Sequence, residues 1–125
     1  EFMAALQLLL EGKDLEHRRE ELKKLYEQYI GPYELYHNAT IDVAMRALAS
    51  YDGGQRLERM EMLAELYYAE ADTVTGPDRN FLLDKAFNLF SFIERNGKTF
   101  SMDRRFKMAL IEQRLKKCSG KTRCE

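Results

Sequence analysis

The chain has 125 residues, of which 45% are hydrophobic and 33% are charged, and its net charge is −1. This length allows one hydrophobic core, and this composition excludes a disordered chain. No apolar run reaches the roughly eighteen residues that a membrane span needs, so a membrane partner is not expected. We predict a single helical domain over residues 3–117. Residues 1–2 are typical of a cloning scar, and residues 118–125 form a short basic tail that contains both cysteines.

Helical periodicity runs through the chain, and no alternating strand pattern occurs. Asp14 is a good N-cap for the second helix, and Gly31-Pro32 ends that helix. The glycine turn at 52–54 closes the third helix, Asn96-Gly97 closes the fifth, and Ser101 caps the last. The six predicted helices cover residues 2–11, 15–30, 33–51, 55–74, 77–95 and 101–117. Because the connections are short, we expect an all-α fold, a compact bundle of five or six antiparallel helices packed as successive helical hairpins.

The fifth predicted helix is apolar almost all round. Phe81 and Phe92 lie off its main apolar face, and Phe87 lies elsewhere again. Either this helix is central, or some of its aromatic side chains meet a partner. We predict a partner-binding surface on the side of the last three helices, with these phenylalanines as contacts and with Lys107 and Arg114 as a charged rim.

The fourth and fifth helices resemble the two helices of a tetratricopeptide repeat. The matching apolar, small and aromatic positions are Met60, Leu63, Ala64, Tyr67, Ala86 and Phe90. The resemblance covers about a third of the chain, and the interval from Ala64 to Ala86 is about ten residues longer than that repeat allows. It implies a protein-binding scaffold without chemistry of its own.

Four tyrosines stand at spacings of three and four on both sides of Gly31-Pro32: Tyr26, Tyr29, Tyr33 and Tyr36. They either line the inside of a helix–helix corner or form an exposed aromatic surface for recognition. Because Leu25 and Ile30 lie on the same stripe, the corner is favoured. The aromatic surface stays the second interpretation.

Two carboxylate–histidine pairs, Asp14 with His17 and Glu34 with His37, have the spacing with which one helix face can hold a metal. One carboxylate and one imidazole do not complete a site, so we expect neither a metal nor a cofactor. The sequence also shows no nucleophile beside a base and no phosphate-binding loop. We therefore expect no enzymatic activity.

The basic residues are concentrated at the C-terminal end. Residues 94–125 carry a charge of +6, and residues 1–93 carry −7. In the last helix, however, Met102 and Phe106 lie opposite Met108 and Ile111, which predicts packing on both sides and basic residues confined to two narrow edges. A nucleic-acid helix would show one continuous basic face.

The leading hypothesis is therefore a helical protein–protein interaction module or scaffold, whose partner is another protein or a second copy. The second hypothesis is a nucleic-acid-associated or regulatory domain that uses the basic end through Arg105, Arg114 or Lys117. Nucleic acid is not favoured, because the basic residues do not form one face.

The tail holds a candidate thiol pair, Cys118 and Cys124. Five residues separate the two cysteines, a spacing that permits a disulfide in an oxidising compartment, whereas two thiols without histidines do not complete a zinc site. We expect two free thiols in a soluble, cytoplasmic protein, although the pair leaves a secreted origin open.

Overall fold

The computed structural model describes residues 1–12 and 14–119, and within these ranges the regular secondary structure is entirely α-helical. The all-α bundle is therefore confirmed. No helix in the described part of the chain is both long enough and apolar enough to cross a membrane. The helices are α1 (Phe2–Leu10), α2 (Leu15–Tyr29), α3 (Tyr33–Asn38), α4 (Ile41–Leu48), α5 (Gly53–Ala71), α6 (Gly76–Asn96) and α7 (Met102–Ser119).

Three helix ends lie where the capping residues predict them. The Asp14 carboxylate accepts a hydrogen bond from the backbone N–H of Glu16 at 3.1 Å and begins α2. The Ser101 hydroxyl accepts from the N–H of Arg104 at 3.1 Å and begins α7. Gly97 donates its N–H to the carbonyl of Ile93 at 2.7 Å and ends α6. Local capping chemistry therefore sets these boundaries.

The predicted helix over residues 33–51 is wrong, because the structure divides it into α3 and α4. Ala39 is extended, with ψ of 145°, and the Thr40 hydroxyl accepts from the N–H of Val43 at 3.4 Å, which caps a new helix. The prediction that a glycine turn at 52–54 closes the preceding helix is also wrong. Asp52 caps α5 by accepting from the N–H of Gln55 at 3.4 Å, and both glycines lie in the first turn of that helix.

The α5–α6 hairpin lies at the centre of the bundle, and α7 packs against α6. On the other side, α2 packs against α5 and carries α1, while α4 contacts both central helices. The largest enclosed apolar side chains come from α2, α5 and α6 and include Tyr26, Tyr67 and Phe90. Phe2 takes part in this packing, because it is buried and its ring meets Tyr29 edge-on with 5.2 Å between the centroids.

Candidate interaction surface

One side of α7 packs on the bundle and the other is left in solvent. Ile111 is fully buried, and Met108 packs half-buried beside it. On the opposite side, Met102 is 72% exposed and Phe106 is 63% exposed. The prediction that α7 packs on both sides is therefore wrong. The physical reason is that α5 and α6 both lie against the same side of this helix.

The solvent side of α7 presents four exposed residues at spacings of four, three and four: Met102, Phe106, Ala109 and Gln113. We call these four residues the outward face of α7. Phe100, which precedes the helix, is 64% exposed, and its ring packs against the guanidinium of Arg105, with 4.8 Å from Cζ to the ring centroid. The result is an exposed, largely apolar surface with a cation at its border. Such a patch on a small protein commonly marks a binding site.

Ion pairs hold α7 on the two central helices. The buried guanidinium of Arg104 donates to Glu94 at 2.7 Å and to Glu61 at 3.1 Å. The Lys107 ammonium donates to Glu65 at 2.7 Å. The hydrogen bond from Arg104 holds the pKa of Glu94 below its usual value, whereas burial raises the pKa of Glu65 against the opposing effect of Lys107. The outward face is therefore carried by a helix with a fixed position.

The same ion pairs neutralise much of the basic end. Arg105 lies 3.1 Å from Glu94, Arg114 lies 3.4 Å from Asp72, and Lys107 contacts Asp103 at 2.9 Å as well as Glu65. Burial acts to lower the pKa of Lys107, but its hydrogen bonds to the two carboxylates outweigh that effect and raise it. The two residues predicted as a charged rim, Lys107 and Arg114, thus contact acidic groups of their own chain.

The three predicted contact phenylalanines do not form one surface. Phe87 lies two turns before Glu94, on the edge of α6 that faces α7. Phe81 and Phe92 share the other edge with Lys85. Phe87 and Phe92 are half-buried against the core, and Phe81 is 42% exposed with its ring 4.1 Å from the Lys85 ammonium. The three side chains therefore lie on two separate edges of α6.

The tyrosine-rich segment forms the corner that the sequence favours. Tyr26 and Tyr36 are buried, whereas Tyr29 and Tyr33 are half-buried. The second interpretation, an exposed aromatic surface, is therefore wrong for Tyr26 and Tyr36, whose rings lie inside the bundle. The Gly31–Tyr36 contact is close: a Cβ at Gly31 would stand 2.9 Å from the Tyr36 ring. Glycine at this position lets α2 and α3 meet.

The corner contains a polar cluster that the sequence analysis missed, made of Tyr26, Tyr33, His37 and Glu70. The Tyr26 hydroxyl donates to Glu70 Oε1 at 2.7 Å, and the Tyr33 hydroxyl donates to Oε2. His37 Nδ1 lies 2.8 Å from the same Oε2. Burial and the neighbouring Glu70 charge raise the pKa of Tyr26 well above its usual value. Glu70 stands three residues after Tyr67 on the core side of α5, a spacing that could have revealed it.

Lys85 is the second buried charge beside this corner. Its ammonium donates to the carbonyls of Tyr36, His37 and Ala39 at 3.2, 3.0 and 2.8 Å, and it lies 4.2 Å from the centre of the Tyr67 ring. Burial lowers its pKa to about 8, although the Glu70 charge opposes this effect. A lysine with a lowered pKa is a known kind of nucleophile, but Lys85 is 1% exposed and uses its three donors on α3. Its role is to cap the last carbonyls of that helix.

The two carboxylate–histidine pairs do not come together in the structure. Asp14 caps α2 beside an exposed His17, and His37 contacts Glu70 while Glu34 is exposed. Among the described residues, no group of three or more His, Cys, Asp or Glu side chains is placed to hold a metal ion. Cys124 and the side chain of Cys118 lie outside the described residues.

A cleft of about 460 Å³ adjoins the start of α7. Its lining is apolar and acidic, and it consists of Glu1, Phe2, Met3, Glu58, Glu61, Met62, Glu65 and Asp103. Three of its carboxylates are those already bound by Arg104 and Lys107. Two of them, Glu61 and Glu65 of α5, therefore hold α7 in place.

The fold and the surface together describe a small helical protein with an enclosed polar corner and an apolar helix face in solvent. No family model, curated protein or solved structure matches the chain. The resemblance of α5 and α6 to a tetratricopeptide hairpin therefore stays a prediction.

Proposed function

We propose that this protein is a non-catalytic helical interaction module and that the outward face of α7 is its docking surface. The observation that carries the proposal is the exposure of Met102 and Phe106, at 72% and 63%, on a helix that ion pairs hold in place. A partner that covers these side chains removes apolar area from water without having to order the helix first.

The composition of the face supports binding of a protein. Phenylalanine and methionine, with an arginine at the edge, are side chains enriched at the centres of protein interfaces. Arg105 stands at this edge, where Phe100 and Glu94 restrain it. In this proposal the α5–α6 hairpin is the scaffold that presents α7. The cytoplasmic location of the protein stays a prediction.

The ion pairs favour a protein over a nucleic acid as the partner. Arg104, Lys107 and Arg114 each contact a carboxylate of α5 or of the turn after it, and Arg104 and Arg105 share Glu94 of α6. A phosphate backbone would have to compete with these carboxylates for the same cations. The outward face of α7, by contrast, contains no cation that could bind a phosphate.

The test is a selection of ligands from a displayed library of helical peptides, followed by NMR titration of the selected peptides. We expect chemical-shift changes at Met102, Phe106 and Ala109, and binding at least tenfold weaker for Phe106→Glu. Leu8→Glu is the matched control, because Leu8 is 71% exposed on α1 and the substitution is the same. Peptides that bind the Phe106→Glu protein unchanged, or shifts centred on Phe81, would contradict the proposal.

A further inference from the structure

We infer that the outward face of α7 docks a second copy of this chain, with the two α7 helices antiparallel about a twofold axis. The inference rests on the proposed function, because it names the partner of the same surface. The observations behind it are the spacing of the exposed residues, the sizes of their side chains and the charges along one edge.

The spacing is that of a helix pair. Residues 102, 106, 109 and 113 are exposed and follow one another at intervals of four, three and four, which is the seam of a two-helix contact. In an antiparallel pair, the first seam residues of one helix meet the last of the other. Phe106 then lies opposite the partner's Ala109, and Met102 opposite the partner's Gln113. Each large side chain thus meets a smaller or flexible one, which lets the helices approach closely.

The antiparallel arrangement also brings opposite charges together along one edge of the seam. Arg105 and Glu112 are both exposed, and they lie two helical turns apart, on the same edge. An antiparallel pair brings the same edge of both helices together. Arg105 of each chain therefore lies beside the partner's Glu112, so that the twofold axis generates two ion pairs.

The alternative pairing lacks these matches. In a parallel pair, Phe106 would meet the partner's Phe106, and the edge that carries Arg105 would face the opposite edge of the partner helix, near Leu110. Arg105 and Glu112 would then not meet across the contact. Of the two arrangements, the charge pattern thus fits the antiparallel pair of two copies.

The size of the contact sets its strength. One helix face and Phe100 make an interface at the small end of specific interfaces, below roughly 1,200 Å² in total. We therefore expect a reversible dimer with a dissociation constant on the order of micromolar. The dimer forms and dissociates with protein concentration.

The first experiment is sedimentation velocity over about three decades of concentration around this value, with reductant present so that Cys118 and Cys124 cannot link two chains. The expected result is a shift from monomer to dimer. Phe106→Glu should remain monomeric throughout, whereas Leu8→Glu should dimerise like the unaltered chain. A monomer at every concentration overturns the inference, as does a dimer that Phe106→Glu leaves intact.

The second experiment tests the antiparallel register with two charge reversals. Arg105→Glu places two pairs of like negative charges in its own dimer, and Glu112→Arg places two pairs of like positive charges. Each variant alone should dimerise about tenfold more weakly. Mixed together, the two variants form a heterodimer in which both edge contacts are again of opposite charge, so affinity should return to that of the unaltered chain. A mixture no tighter than its components overturns the inference.

The two proposals fail separately. If the chain stays monomeric while selected peptides still bind at Met102 and Phe106, the second copy is not the partner but the docking surface stands. If neither the selected peptides nor a second copy of the chain binds the outward face, both the inference and the proposed function fail.

Discussion

Charged side chains usually lie at the surface of a protein and large apolar side chains in its core. Two regions depart from this rule in opposite ways: the corner between α2, α3 and α5, and the outward face of α7. In the corner, Glu70 and Lys85 are charged and buried, and each is surrounded by partners from its own chain. On α7, Met102 and Phe106 are apolar, and the described residues leave both of them exposed. The buried charges are satisfied within the fold, so they stabilise it. The exposed apolar groups are left uncovered by the described part of the chain, so they point to a partner.

The largest loss of stability should come from the corner, when Glu70 is replaced by alanine. The hydroxyls of Tyr26 and Tyr33 then lose their acceptor inside the bundle, which should lower the free energy of unfolding by about 4 kcal/mol. Glu70→Gln retains an acceptor and should cost about half as much. Urea denaturation measures both, and a loss under about 1 kcal/mol for the alanine variant would show that the cluster contributes little.

The inner side of α7 provides the next effect. Ile111 is fully buried against the bundle, so Ile111→Ala should lower the free energy of unfolding by about 3 kcal/mol through lost apolar burial and the cavity it leaves. Thermal and urea unfolding both measure this change. A neutral Ile111→Ala would mean that α7 does not pack on α5 and α6 in solution.

A pH titration tests the buried lysine. Because burial lowers the pKa of Lys85 from 10.5 to about 8, the unfolded chain holds more protons than the folded chain between these values. The free energy of unfolding should therefore rise with pH, by about 2 kcal/mol between pH 8 and 10, and Lys85→Met should lack this rise. Above about pH 10 the sign reverses, because unfolded tyrosines ionise while the raised pKa of Tyr26 keeps it protonated in the fold. Equal pH profiles for both proteins would contradict a desolvated Lys85.

The smallest effect on stability belongs to the outward face. Phe106→Glu changes a side chain that is mostly in solvent, so it should alter the free energy of unfolding of the monomer by less than about 0.5 kcal/mol. Dilute samples keep the chain monomeric in this measurement. A loss comparable to that of Ile111→Ala would place Phe106 in the core and remove the docking surface.

The helices could be predicted because their ends are coded locally. Asp14, Ser101 and Gly97 each cap a helix with their own side chain or backbone. The break at Ala39 was missed because an apolar periodicity continues across it. The carbonyls of that break are held by Lys85, which stands 46 residues further along the chain. A contact of that kind leaves no mark in the neighbouring sequence.

The site could be predicted in part. The two apolar stripes of α7 are visible in the sequence, but only the packing of α5 and α6 decides which stripe is covered. Phe81, Phe87 and Phe92 are apolar in the same way, yet two opposite edges of α6 separate them. The charge of residues 94–125 is likewise visible, whereas its pairing with Glu61, Glu65 and Glu94 depends on tertiary contacts.

The central claim, that the outward face of α7 docks a second copy of this chain, is tested most directly by methionine oxidation with hydrogen peroxide at low and high protein concentration. Met102 is 72% exposed on α7, and Met3, 50% exposed on α1, is the internal reference. Mass spectrometry of the sulfoxides should show that Met102 is oxidised rapidly in dilute protein and several-fold more slowly in concentrated protein, while the rate at Met3 stays constant. A rate at Met102 that is the same at both concentrations would contradict the claim.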